Sequence, residues 1–476
     1  MYRRMMTAQQ KLDIPFGVEI DVENRWVKLS KIMPWEKIDE LYSENFTSEK
    51  GEEAKPSRLA FGALYIQTRL GITDEETVDQ IRETPSMQYF CGFDCYTTLK
   101  PFDSSLMVHF RKRITSEMMK EISEEAFAAE ANKQIEKEDR NDDDDNGENK
   151  GKGTLLLDST CFPSDIHYPT DIGILNHSRE ILERIIDELH QQASQGILKP
   201  RTYRDVARRA YLDYAKTRKP SNARIQFAIR QQLQYVRRNL ETIGKQVEQG
   251  ASLCFLSDEL YRKLLVIAEV YRQQKLMYEE KTHSVPDRIV SISQPHLRPI
   301  VRGKVGTPVE FGAKAATAHV GGFSFVIHLS YDNFSEAKYL EASAEEFKRI
   351  FGFYPKVIIG DKAYATNDNR NYCKSKGIRL SAAKRGRKSE AAMNTEQKQL
   401  YQDSCQRNAI EGDYGTTKRK YGLDLIMTKL YNTTLTVISF GFFVKNTERV
   451  LRLFSFLFLM LLESFVSRLF HSLSVQ

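Results

Sequence analysis

Apolar residues along this chain keep two different periods, and the changes between them mark its elements. Residues 1–50 hold few apolar anchors (Trp26, Val27, Ile32, Trp35) in a polar background. From Lys55 the apolar positions take helical spacing: Leu59, Leu64, Ile66 and Leu70 share a helix that Gly71 ends. Thr73, with Glu76 three residues on, forms a capping box and predicts a new helix through ITDEETVDQIRE. Another, SSLMVHFRKR, runs from Ser104 to Arg113 and ends in a basic cluster. Short helices with tight turns and a basic last turn suit a helix-turn-helix-like DNA-binding module; a helical packing domain has the same pattern. Glu136–Gly153 is free of apolar side chains and predicts a linker or exposed loop, with Asp142–Asp145 as a solvated spacer.

Three leucines before Asp158 then predict a buried strand, TLLLDST. A carboxylate straight after such a run is expensive unless paired or metal-bound. Asp165 and Asp171 follow in a Pro-containing turn region, where a loop or cap role suffices. From Leu175 to Glu280 the spacing is helical throughout, with many arginines on the other faces, among them Arg201, Arg208, Arg209, Arg218, Arg230 and Arg238. They fit ordinary surface charge and a track along a phosphate backbone equally. Strands return at Val309, and PVEFGAKAATAHV-GG-FSFVIHLS predicts a hairpin across Gly321-Gly322. SAEEFKRIFGF predicts a helix and KVIIGD a buried strand that Asp361 ends. A short helix (NRNYCKSKGI), a possible strand (RLSA) and a basic loop (KRGRKS) come next.

The last of these segments leads into Ser404–Lys420, SCQRNAIEGDYGTTKRK. Read as a helix, it puts Arg407, Glu411, Tyr414 and Lys418 on one face, at i, i+4, i+7 and i+11. That spacing usually carries a core stripe; here it carries a guanidinium, a carboxylate, a phenol and an ammonium. A solvated face with ion pairs is the bland interpretation. TLTVISFGFFVKNTERVLRLF continues as helix. The strongly apolar Leu453–Leu462 is shorter than the roughly 20 residues a membrane span needs, and predicts a buried or self-associating helix.

Composition narrows the picture little. A chain of 476 residues has room for two or three domains, and a net charge of +6 says less than its distribution. The six cysteines form no CxxC pair and no zinc spacing, so reduced thiols in a cytosolic protein are expected. The N-terminus lacks the apolar run of a signal peptide. No GxxxxGK, HExxH or GxSxG motif competes, and nothing suggests a nucleotide cofactor.

Without the helical insertion, the order is strand, hairpin, helix, strand, helix, strand, basic loop, helix. That predicts an α/β fold: a mixed sheet of the ribonuclease-H kind with helices on both faces. A helical N-terminal domain precedes it, and a helical insertion of about 175–300 follows the first strand. The expected divisions are 1–132, a DNA-binding domain; 133–153, an acidic linker; 154–452, the catalytic domain; and 453–476, an apolar helix. Asp158 on the first strand, Asp361 on a parallel neighbour and Glu411 on the covering helix would suit hard cations, two Mg²⁺ or Mn²⁺ ions. Two such ions activate a water or 3′-hydroxyl for in-line phosphoryl displacement. Arg407 and Lys418 would hold phosphate oxygens, and Tyr414 would position a phosphate, stack on a base or simply pack.

At these residues the chain resembles the bacterial insertion-sequence DDE transposases of the InsH-like group, within the four/five insertion-sequence assemblage. That family carries Tyr, two residues, Arg, three residues, Glu, six residues, Lys; Arg407, Glu411 and Lys418 match, and Ser404 stands where the tyrosine belongs. LLLDST…HYPTD is similar to the family's first-aspartate region and GDKAYATNDNRNY to its second. RPIVRGKVGTPVEFGAK and the N-terminal block RLAFGALYIQTRLGITDEETVDQIRETPSMQYFCG also match, so the likeness covers most of 25–450. The resemblance implies DNA transposition. The N-terminal domain would bind terminal inverted repeats, and the core would cleave the ends and join the 3′-hydroxyls to target DNA. A homodimer on paired ends, double-stranded DNA as partner and a cytoplasmic place on the bacterial nucleoid go with it. A ribonuclease-H-like nuclease without strand transfer and an inactive, transposase-derived repressor are the alternatives.

Overall fold

The computed structural model describes residues 19–46, 53–140, 151–191, 198–301, 309–382 and 390–474. The acidic run Asp142–Asp145 and the basic loop at 384–389 lie outside them, as do the side chains of the apolar tail from 455 onward. The chain is mixed α/β and divides into two compact units.

Unit 1 comprises 1–163, 313–330 and 334–476. It begins with α1 (Arg25–Ile32), α2 (Trp35–Ser43), α3 (Ser57–Leu70), α4 (Asp74–Glu83), α5 (Pro85–Phe90), α6 (Leu106–Arg113) and α7 (Ser116–Arg140). Gly71 ends α3 in a left-handed conformation (φ +66°), which glycine adopts without a Cβ penalty. The Thr73 hydroxyl accepts from the Glu76 N–H at 3.2 Å, so half of the capping box forms. α7 runs on to Arg140, into the stretch expected as linker, because Phe127, Ala131 and Ile135 give it a buried face.

The strands of unit 1 are β1 (Thr154–Pro163), β3 (Val309–Val320, from Ala313 onward), β4 (Phe323–Ser330), β5 (Val357–Ile359) and β6 (Arg379–Leu380). Their order is β3-β1-β5-β6, with β4 paired to β3. β1, β5 and β6 run parallel, and β3–β4 is the antiparallel hairpin across Gly321-Gly322. Both glycines have positive φ (+55° and +79°), as a two-residue hairpin turn demands. α12 (Leu340–Phe351), α13 (Asn367–Ser375), α14 (Glu390–Lys420) and α15 (Tyr431–Ser474) complete the unit. The expected apolar C-terminal helix is not a separate element: α15 is continuous through it.

One hydrophobic cluster joins the two ends of the sequence. Trp26, Phe61, Tyr65, Phe90 and Phe127 pack with Phe440, Phe443 and Val444 of α15. Each such side chain contributes about 1.5–3 kcal/mol on full burial, so α15 is a principal part of the N-terminal core. The Tyr65 hydroxyl bonds Thr447 at 2.6 Å, and Arg69 pairs with Glu448. The basic end of α6 also turns inward: Arg111 grips Asp74 with two bonds of 2.9 and 2.6 Å. A second cluster, including Leu155, Leu157, Ala318, Phe347 and Ile358, lies between sheet and helices.

Unit 2 comprises 164–312 and 331–333. It contains α8 (Asp171–Gln191), α9 (Arg204–Ala215), α10 (Asn222–Glu248), α11 (Asp258–Glu280) and the short β2 (Pro299–Val301), which pairs with the first residues of β3. Its core follows the helical spacing of the sequence: Leu175, Leu182, Ile185, Ile186 and Leu189 of α8 cluster with Leu233, Val236 and Ile267. Asp171 starts α8 and is held by Arg288 at 2.7 Å and Gln274 at 3.0 Å, a structural role.

Candidate active site

Strand register sets the two aspartates at the same offset from a paired position. β1 and β5 pair Leu155 with Ile358 and Leu156 with Ile359, and each aspartate lies two residues further on. Asp158 is inside β1, which continues to Pro163 rather than ending at the acid. Asp361 follows β5 and caps a short turn, accepting from the Ala363 N–H at 2.6 Å. Gly360 permits that turn: a Cβ there would come 2.7 Å from the Tyr364 ring.

The site is electrostatically negative. Burial, with Glu336 and Asp361 adding to it, pushes the Asp158 carboxyl up to about 6 against the opposing Ser159 N–H and Arg407. Burial also raises the Tyr364 hydroxyl, and Glu336, Asp158 and Asp361 add to it. Tyr414 is raised well above the ordinary phenol range by burial and then by Asp158. Asp158 and Glu336 therefore act on both phenols, and Asp361 on Tyr364.

Glu336 carries no signal in the sequence. It accepts a short hydrogen bond from the Ser159 hydroxyl and an ion pair from Lys314 at 2.9 Å. Nothing in DNFSEAKY marks it, because Ser159 lies 177 residues away in the chain. Glu411 is placed differently. It is 62% exposed on α14 and pairs with Arg407 at 3.5 Å. Among the described residues, no group of three His, Cys, Asp or Glu side chains is close enough to hold a metal ion. The oxygen donors Asp158 and Asp361 still suit a hard cation by their chemistry. Lys314, the nearby ammonium, is engaged by Glu336. Glu411 pairs with Arg407, whose charge lowers the Asp158 carboxyl.

Arg407 has its Nε buried without a hydrogen-bond partner among the described residues. It lines a cavity of about 480 Å³ with Lys362, Arg370 and Ser404, beside the end of β5. Two other expected DNA contacts require correction. Tyr414 is 7% exposed and its hydroxyl bonds Thr317, so it is a core residue and offers no ring to a base. Lys418 points at the sheet: its ammonium donates to Thr160 Oγ1 at 3.0 Å and to the Cys161 carbonyl at 2.6 Å, docking α14 on β1. Periodicity puts these residues on one face but does not say which part of that face meets the sheet.

A buried polar network fixes the same helix from below. Asp413 accepts from Lys445 of α15 and from Ser324, and pairs with His319 at 3.2 Å. Despite burial, its carboxyl is held down at about 2 by His319 and Lys445.

The comparisons with known proteins fall on these elements. Residues 358–448 match the family described as Transposase DDE domain, and 16–113 match that described as Transposase domain (DUF772). Both matches support a DDE-type insertion-sequence transposase. The first match holds Asp361, Arg407 and Glu411; Asp158 lies outside both. The chain is also 28% identical over 187 residues to "Uncharacterized protein ORF8 in nfe locus" of Rhizobium meliloti, covering 39% of this chain and 80% of that protein. No solved structure matches it. Among the described residues, no helix is long and apolar enough to cross a membrane.

Proposed function

We propose that this transposase binds the terminal inverted repeats of an insertion sequence, cleaves its ends and joins the 3′-hydroxyls to target DNA by two-metal-ion phosphoryl transfer. The observation that carries this reading is that Asp158 and Asp361 each follow by two residues the paired Leu156 and Ile359 of parallel strands, with Asp158 raised by burial and by neighbouring carboxylates. The strand order, with a hairpin on one side of β1 and two parallel strands on the other, supports a ribonuclease-H-like core.

Asp158 and Asp361 would hold Mg²⁺ or Mn²⁺, with Glu411 as the third ligand. Bound there, the ions supply Lewis-acid activation of the attacking oxygen and stabilisation of the leaving one. Arg407 orients the scissile phosphate through its free Nε–H, and Lys362 and Arg370 add positive charge along the same cavity. Glu411 comes to the aspartates when phosphate replaces it as the partner of Arg407. α1–α6 would read the terminal repeats, and a homodimer would pair the two ends.

A strand-transfer assay with a donor carrying the element's ends tests this reading. Joined product is expected from the parent chain. Asp158→Asn, Asp361→Asn and Glu411→Gln should each abolish cleavage while leaving end binding intact. Cleavage without joining would reduce the activity to that of a nuclease, and end binding alone would make the chain a repressor.

A further inference from the structure

Unit 2 concentrates positive charge in one segment. Residues 198–238 carry twelve Lys and Arg against two Asp, a net of +10 in a chain whose total is +6, so the remainder is net negative. Elsewhere in unit 2 charges are balanced locally: Arg184 faces Glu188, Arg272 faces Glu269 and Lys275 faces Glu279. In the basic segment only Lys199, Arg204, Arg224 and Arg237 make ion pairs, while Arg208, Arg218 and Arg230 are exposed and make none among the described residues.

Its shape is as unusual as its charge. α9 buries a single residue, Ala207, so most of this helix faces solvent. Val206 (49%), Leu212 (42%) and Phe227 (61%) are exposed between the arginines. Before α9, Tyr203 adopts a left-handed backbone (φ +53°), uncommon for a bulky residue. The Arg201 guanidinium lies 4.6 Å and that of Arg238 4.9 Å from its ring centre; Arg238 also covers Tyr235 at 5.0 Å. Stacking of this kind uses the flat faces of a guanidinium and leaves N–H edges free for phosphate oxygens. From Arg224 to Arg238, α10 spans about 21 Å. That length of duplex carries on the order of twelve phosphates, enough to meet several arginines at once.

We infer that Leu198–Arg238 of unit 2 is a sequence-independent docking surface for the phosphate backbone of duplex DNA, separate from the catalytic residues. Arginine edges to phosphate oxygens provide the affinity, and apolar Val206, Leu212 and Phe227 meet the sugar edges. The surface carries no base-reading pattern, so it holds any duplex equally. The inference rests on the transposase reading for its choice of duplex DNA as the polyanion.

The test measures binding of the full chain to two duplexes, one with the element's ends and one of random sequence, over about 50 to 300 mM salt. Arg208→Gln/Arg218→Gln/Arg230→Gln should weaken both duplexes by the same factor and flatten the slope of log K against log salt by about 2 to 3. The matching Arg→Lys triple should keep the parent slope, and circular dichroism should show unchanged melting for both. An unchanged slope in the Gln triple overturns the inference, as does a loss confined to structured RNA or to self-association. The two readings fail separately. A parent that cuts its ends while the Gln triple keeps its slope sinks only the surface; a flattened slope with no end-specific cleavage by the parent sinks only the transposition reading.

Discussion

Asp158 and Asp361 each lie two residues beyond the paired Leu156 and Ile359, Asp158 within β1 and Asp361 just past the end of β5. Parallel strands lie roughly 4.8 Å apart, and Asp361 is near enough to raise the Asp158 carboxyl. Repulsion between them makes a divalent cation the natural counter-charge. Mn²⁺ titration by calorimetry should show binding to the parent and none to Asp158→Asn or Asp361→Asn. Parent-like affinity in either variant removes that residue from the site.

Glu336 accepts from Ser159, the residue after Asp158, and pairs with Lys314. Outer partners of metal ligands typically matter by about 10–100-fold in affinity. Glu336→Gln should weaken Mn²⁺ binding by that factor while the melting temperature stays near the parent's. An unaltered affinity would mean that the Ser159 contact serves packing alone.

Lys418 donates two bonds to β1, so its loss acts on the fold. Lys418→Ala should destabilise the chain by about 1–3 kcal/mol in denaturant melts, as lost charged hydrogen bonds do. The salt slope of DNA binding should remain that of the parent. A slope flattened by about one would restore a phosphate contact to Lys418.

Lys445 is 5% exposed and neutralises Asp413 beneath α14. Lys445→Met leaves that carboxylate beside His319 without its ammonium, which should cost about 3 kcal/mol. A double cycle with Asp413→Asn should recover part of the loss. Strict additivity would show that the two groups do not interact.

Glu346 of α12 gives a pH-dependent contribution. Hydrogen bonding from Arg349, then Lys120, holds its carboxyl at about 2, below the ordinary 4.5. A lowered folded value means stability present above pH 4.5 and lost as pH falls toward 2. Because Arg349 is 54% and Lys120 48% exposed, screening limits the gain to about 1 kcal/mol. Glu346→Gln should melt lower than the parent at pH 6, and the gap should close on acidification; a constant gap would assign the loss to shape.

Local signals in the sequence are enough for the elements but not for every side chain's direction. Gly71, the Thr73 cap and Gly321-Gly322 act through their own backbone, so composition and spacing reveal them. Asp158 and Asp361 are legible because each follows an apolar run. Glu336, His319 and Asp413 are not, since their partners come from distant segments of the chain. The common face of Arg407, Glu411, Tyr414 and Lys418 is legible too, but it splits. Glu411 stays outward, Arg407 lines a cavity, and Tyr414 and Lys418 face the sheet.

Phe440, Phe443 and Val444 complete a core that begins at Trp26. A ribosome therefore releases the first helices long before the residues that close around them exist. Nascent chains halted ahead of α15 would expose an aromatic-rich surface and invite chaperones or proteases. Interrupted synthesis thus yields no stably folded N-terminal fragment.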